Sequence, residues 1–302
     1  MTVLKKGQSF VYKNARPLDL ARWRFHFEDG SAEEVLKYLS AYQNPDGGFG
    51  HAIEPDFWNE NSTPIATWAA ILVLREIGVS DKNHPMIKGI LNYLESGKDF
   101  LNGKWQVTVL SNNDYPHAIW WEHGECEMSD DNPTVSLAGF ILRFADKDSE
   151  IYHTACEIVK TSVLGFIAEP TDEQHTLRCY MELYDYCCEL KDFDIIDIRA
   201  FREKLSETVN KTVCSDTSRW LKDYVCTPSA LFKNNKNSFS MVDRELAEHE
   251  ADMMLKFQRE DGSFPITWTW HTDYKEFEIS ANWWRSANII NNLLYLRYLG
   301  RL

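Results

Sequence analysis

The chain has 302 residues and a formal net charge of -14, with 44% hydrophobic and 13% aromatic residues, including 11 Trp. That content suffices for a large core, and the acidity argues against nucleic acid or an anionic membrane surface as partner, since both require a basic footprint. The N-terminus carries no apolar run long enough for a signal peptide and no stretch is long enough to span a membrane, so a cytoplasmic protein without an integral membrane segment is expected.

Taken from the N-terminus, the first clear signal is the capping box Ser31-x-x-Glu34, opening a helix that ends near Gln43. The pattern Gln-x-x-Asp-Gly-x-Phe follows as Gln43–Phe49, then Glu54-Pro55-Asp56, then a helix opened by Thr63-Pro64. Helical spacing of apolar residues recurs over 65–77, 84–94, 135–144, 151–167, 177–190, 196–213, 242–257 and 281–299. No comparable stretch alternates with period two, so the fold class is all-α, with about ten to twelve helices. A second capping box, Thr171-x-x-Gln174, opens the helix running to about Leu190.

Near the C-terminus the same pattern returns as Gln258–Phe264, and Trp68 and Trp283 follow the two Gln residues at the same offset of 25. A fixed offset marks a repeated unit of two antiparallel helices joined by a loop, neither of which buries its apolar stripe alone. Asp-Gly supplies the turn and Phe folds back on the helix end, so Asp46 and Asp261 are read as structural. Seven cysteines, an odd number without Cys-x-x-Cys spacing, read as reduced thiols.

Three loops exceed the length of ordinary connections: 44–56, 112–133 and 261–273. His51-x-x-Glu54-Pro55-Asp56 has no counterpart after the second repeat, which makes Glu54 and Asp56 the leading catalytic candidates. Their bland alternative is loop bracing at helix starts. The densest chemistry is the run Tyr115 to Glu127, with His117, Trp120, Trp121, Glu122, His123, Glu125 and Cys126, suited to stack a ligand and move a proton. Its His and Cys spacing matches no zinc pattern, and no motif calls for a metal or an organic cofactor. Asp130 and Asp131 precede a helix whose first turn is Pro133-Thr134-Val135, so they either complement its dipole or face a cavity mouth. The candidate catalytic set is therefore Glu54, Asp56, Glu122, Asp130 and Asp131. The candidate binding set is His51, Tyr115, His117, Trp120, Trp121, Trp268, His271 and Trp284.

These repeats resemble those of the terpenoid cyclase and protein prenyltransferase superfamily, whose Gln/Asp-Gly/Trp units build an α/α toroid. Gln43 to Asp56, Tyr115 to Trp121 and Asp131 to Phe140 are similar to bacterial prenyltransferase-like proteins. The resemblance implies one α/α toroid over residues 1–302 and a small-molecule ligand, isoprenoid-like, in an aromatic-lined central cavity. The motifs depart from the enzymes of that superfamily. Asp130-Asp131 has Met128 where an Asp-x-Asp-Asp acid needs Asp, and Thr134 where Asp-Asp-x-x-Asp needs its last Asp. Glu278 and Ser280 stand where a zinc-binding Asp-x-Cys would fall, and the loops offer a diphosphate little beyond Lys104, Lys275 and Arg285. Two alternatives accompany the isoprenoid-like reading: a carbohydrate-active hydrolase or lyase with Trp platforms and loop carboxylates, and a non-catalytic ligand-binding scaffold. An apolar cavity favours the first, an open polar Trp-lined cleft the second and a filled centre the third.

Overall fold

A computed structural model describes residues 2–124, 130–191, 193–232 and 236–302. Among these residues the fold is helical, with 13 α-helices: α1 (Val3–Asn14), α2 (Pro17–Phe27), α3 (Ala32–Leu39), α4 (Pro64–Glu76), α5 (Pro85–Glu95), α6 (Asp131–Phe144), α7 (Glu150–Ala168), α8 (Gln174–Glu189), α9 (Ile198–Thr212), α10 (Pro228–Leu231), α11 (Lys236–Phe239), α12 (Arg244–Phe257) and α13 (Phe277–Tyr298). The excess over the expected number comes partly from α10 and α11, each a single turn and too short to show a helical period. One hairpin, β1 (Phe100–Leu101) with β2 (Lys104–Trp105), has strands too short for alternation to reveal.

The helix ends follow the local chemistry of the sequence. Ser31 Oγ accepts from Glu34 N at 3.2 Å and Thr63 Oγ1 from Ala66 N at 3.1 Å, so α3 and α4 start where their caps stand. At α8 the capping box gives way: Glu173 is the N-cap, accepting from His175 N and Thr176 N. Thr171 serves only the turn before it, through Glu173 N. Pro17, Pro64, Pro85 and Pro228 each occupy the first turn of a helix, where the missing N–H costs nothing.

The two Gln-x-x-Asp-Gly-x-Phe copies share the hydrogen bonds that close their turns. Gln43 Nε2 donates to Gly47 O at 3.0 Å and Gln258 Nε2 to Gly262 O at 3.0 Å. Asp46 Oδ1 accepts from Gly48 N at 3.0 Å, and Asp261 Oδ1 from Ser263 N at 2.9 Å. Phe49 and Phe264 are buried. The first copy docks on α5 and the second on α1: a Cβ on Gly47 would stand 2.1 Å from Gly89 O, and one on Gly262 2.1 Å from Lys6 O. Both glycines also have positive φ, +91° and +96°. Gly47→Ala and Gly262→Ala therefore each carry backbone strain and a clash, with an expected loss of about 1–3 kcal/mol each in chemical denaturation. A stability unchanged by both substitutions would refute the docking role.

Packing runs from helix to helix along the chain. α4 lies on α6, α6 on α7 and α8, α8 on α9 and α11, α10 on α12, and α12 on α13. α13 then packs on both α1 and α2, so the last helix meets the first two. α2 reaches α4 through Arg22, whose Nε and Nη2 donate to Glu76 at 2.9 and 2.7 Å. The long connections lead into the N-terminal ends of α4, α6, α10 and α13, which sets up the site described next. No helix among the described residues is long and apolar enough to cross a membrane.

Candidate functional site

Backbone hydrogen bonds tie the three long loops together. Ala118 N donates to Asp56 O at 2.8 Å, Trp58 N to Pro116 O at 2.9 Å and Ile119 N to Trp270 O at 3.0 Å. Asn59, fully buried, donates to Ser111 Oγ and Asn112 Oδ1 at 2.8 and 2.9 Å, and Asn112 donates to Trp121 O at 3.0 Å. Short amide side chains thus replace a sheet ladder in holding irregular backbone in register.

Asp56 sits at the junction. Its Oδ1 accepts from the buried Trp270 indole at 2.6 Å. The indole N–H groups of Trp268 and Trp284 also favour its charged form, yet both stand outside hydrogen-bond geometry and have no other partner among the described residues. Burial raises the Asp56 pKa above the usual carboxylate range, and the indole donors oppose the rise. Glu54 lies beside it and accepts from Asp56 N at 2.8 Å. Its pKa is pushed well above the ordinary value, first by burial and then by the Asp56 charge, against the pull of Arg16.

The segment before Glu54 is strained and clamped. His51 and Ala52 both have φ of +57°, a left-handed conformation that costs a residue bearing a side chain. Arg16 holds this turn from α2: its Nη1 donates to Ala52 O at 2.7 Å and Ile53 O at 3.2 Å, while its Nε is paired with buried Asp19 at 2.8 Å. The same guanidinium lies 5.3 Å from the Trp283 ring centre, and Trp283 stacks on Trp58 with centroids 5.2 Å apart. Trp58, Trp268, Trp283 and Trp284 are all half-buried, so each ring keeps part of its surface open to solvent.

On the α8 side, Tyr224 bonds to His175 Nε2 at 2.7 Å and meets the Trp268 ring edge to face at 6.1 Å. It is within electrostatic range of both Arg178 and Asp56. Below this, Arg178 lies over the Trp68 ring at 4.7 Å, and Glu182 Oε2 accepts from Trp68 Nε1 at 2.8 Å and Ser136 Oγ at 2.6 Å. Arg178 Nε and Glu182 Oε1 stand 3.7 Å apart, and both lack a hydrogen-bond partner among the described residues. This side of the loop cluster is polar and charged, with Glu182 and Ser136 buried within it.

The candidates from the sequence fall into groups. Glu54, Asp56, Trp268 and Trp284 come together as described. Trp121 packs on Phe57 at 5.0 Å, and His117 is buried with its Nδ1 2.6 Å from Tyr115 O and its ring 5.5 Å from Tyr274. His51 is exposed and turned to Asn44 Oδ1 at 2.9 Å, which makes it part of the turn. Tyr115 is half-buried beside Asn61, while Trp120 and Glu122 are exposed on the rim, and His271 is exposed beyond Trp270.

Asp130 and Asp131 are not brought to Asp56. Asp130 is an exposed N-cap. Asp131 accepts from Tyr180 at 2.5 Å and Ser162 at 3.1 Å and pairs with Lys104 at 2.9 Å, fastening α6 to α7, α8 and the hairpin. Glu125, Cys126 and Glu127 lie outside the described residues. Among the described residues, no group of His, Cys, Asp and Glu is arranged to hold a metal ion.

Sequence reasoning missed Arg16, Trp58, Trp283, His175, Arg178, Glu182 and Tyr224. A signal existed for Trp283, which occupies the repeat offset, and for Arg178 and Glu182, one helical turn apart on α8. None existed for Tyr224 or Arg16. Comparison with known protein families finds no model that matches this chain, and comparison with curated proteins finds no match.

Proposed function

We propose that the chain is a single α/α toroid whose mouth binds a polyhydroxylated, sugar-like ligand, with Glu54 and Asp56 acting on it as an acid and base pair. The repeat chemistry supports the toroid. The second Gln-Asp-Gly turn docks on α1 as the first docks on α5, so the last unit relates to the first as one unit relates to the next. Such closure also agrees with the resemblance to the terpenoid cyclase and protein prenyltransferase superfamily.

One observation favours a sugar-like ligand over the isoprenoid-like one implied by that resemblance. Around the acid pair stand polar groups with no hydrogen bond among the described residues: the N–H groups of Trp268 and Trp284, turned toward Asp56, and the loosely paired Arg178 Nε and Glu182 Oε1. Hydrocarbon offers these groups no hydrogen bond, whereas hydroxyl groups donate and accept in turn. Half-buried indoles supply the stacking surface for sugar rings. The Glu54 carboxyl, the more strongly raised of the pair, suits proton donation to a leaving oxygen, and Asp56 suits the carboxylate role.

The test is tryptophan fluorescence and reducing-end release with malto-, cello- and chito-oligosaccharides, run beside farnesol and farnesyl diphosphate. Quenching and chain cleavage by a sugar are expected. Binding of the prenyl compounds alone would restore the isoprenoid-like reading, and no response to either class would leave the loop residues as braces.

A further inference from the structure

A cavity borders Trp270, the residue whose indole N–H is bonded to Asp56. It has a volume of about 470 Å³ and is lined by Trp270, His271, Thr272, Tyr274, Lys275 and Phe277 among others. That volume lies within the range of small-ligand sites, roughly 300–1,000 Å³. Its wall is aromatic, with Trp270 6.5 Å from Tyr274 and 6.1 Å from Phe277 between ring centres, and its rim is polar. Thr272 Oγ1 is buried with no hydrogen-bond partner among the described residues. The curl of the loop is held at His271, which has a φ of +54° and places its Nδ1 3.4 Å from Thr269 Oγ1.

We infer that this cavity is a second subsite for a sugar unit, so that the ligand is an oligosaccharide running past the Trp270 loop with the acid pair beside one of its linkages. The inference rests on the sugar-like reading of the mouth and extends it from one ring to a chain. Trp270 links the two places: its N–H fixes Asp56 at 2.6 Å, and its buried ring backs Tyr274 and Phe277, which line the cavity. Tyr274, 38% exposed, offers a stacking face at the entrance, and the unpartnered Thr272 hydroxyl offers a hydrogen bond inside. An apolar ligand would waste that hydroxyl and the Lys275 and Glu278 rim. A single sugar would leave the second cavity unused.

The experiment measures affinity by calorimetry for malto-, cello- and chito-oligosaccharides from monomer to hexamer, on the full chain. Affinity is expected to rise with length past the first unit. Tyr274→Ala should lower the ratio of tetramer to monomer affinity about 2- to 10-fold, with Tyr274→Phe restoring it. Thr272→Val, which conserves shape, should lower the same ratio. Equal affinity for monomer and longer chains, or a ratio unmoved by both Tyr274→Ala and Thr272→Val, would overturn the second subsite while keeping the sugar reading. Absence of binding by every sugar would overturn both.

Discussion

Glu76→Ala is expected to destabilise the protein by about 3–5 kcal/mol, because it breaks a buried charge network by removing one partner. Glu76 ends α4 and takes two hydrogen bonds from Arg22 on α2 and one from His26 at 2.8 Å. Arg22 in turn holds Asp19 at 3.0 Å, and Asp19 holds Arg16, the clamp on the strained turn before Glu54. Burial alone would raise the Glu76 pKa, but Arg22 and His26 overcome it and bring the pKa down to about 2. A carboxyl depressed in the folded state stabilises above its unfolded pKa near 4.5, and that contribution is lost as pH falls toward about 2. The shift amounts to roughly 3 kcal/mol, in line with the mutational estimate. Urea denaturation at neutral pH should show the loss, and between pH 5 and 3 the variant should lose less stability than the wild type. A variant within about 1 kcal/mol of wild type would mean that α2 and α4 are joined by apolar packing alone.

The same network explains where the sequence was legible and where it was not. Repeats and helical periods are written in apolar residues, glycine and Asp-Gly turns, so the Gln43 and Gln258 turns and most helices from α4 onward could be read directly. α1 and α2 escaped because their pattern is interrupted by charge. On α2 it is Asp19 and Arg22 that are buried, whereas a period count treats such residues as surface. The repeat also argued that the loops after Gln43 and Gln258 share an end. What joined the middle loop to them was main-chain bonding, Ala118 to Asp56 and Ile119 to Trp270, to which any side chain is compatible. For the same reason Asp130 and Asp131 could not be separated from Glu54 and Asp56 by composition. Partners decided it: Asp131 meets Tyr180, Ser162 and Lys104, and Asp56 meets indoles.

Glu54→Gln is expected to lower turnover of a cleaved oligosaccharide by about 10²–10⁴-fold, the usual contribution of a general acid or base. The same substitution should leave thermal stability at neutral pH unchanged or raised. The sign follows from its pKa. Burial and the neighbouring Asp56 raise Glu54 in the folded state, so ionising it opposes folding, and its contribution to stability falls as pH rises from the unfolded value near 4.5 through the folded one. Gln removes that penalty and keeps an oxygen for Asp56 N, now at 2.8 Å from Glu54 Oε2. Asp56→Asn likewise keeps an acceptor for Trp270 and should also cost turnover. A loop brace behaves in the opposite way: the variants would melt earlier and any activity would follow the folded fraction. Turnover unchanged in both folded variants would remove the pair from the chemistry. Lost turnover in a protein that melts no earlier, together with loss of the high-pH limb of the rate profile in Glu54→Gln, would assign the proton to Glu54, because only the protonated carboxyl can donate and its donation fails as pH rises through its raised pKa.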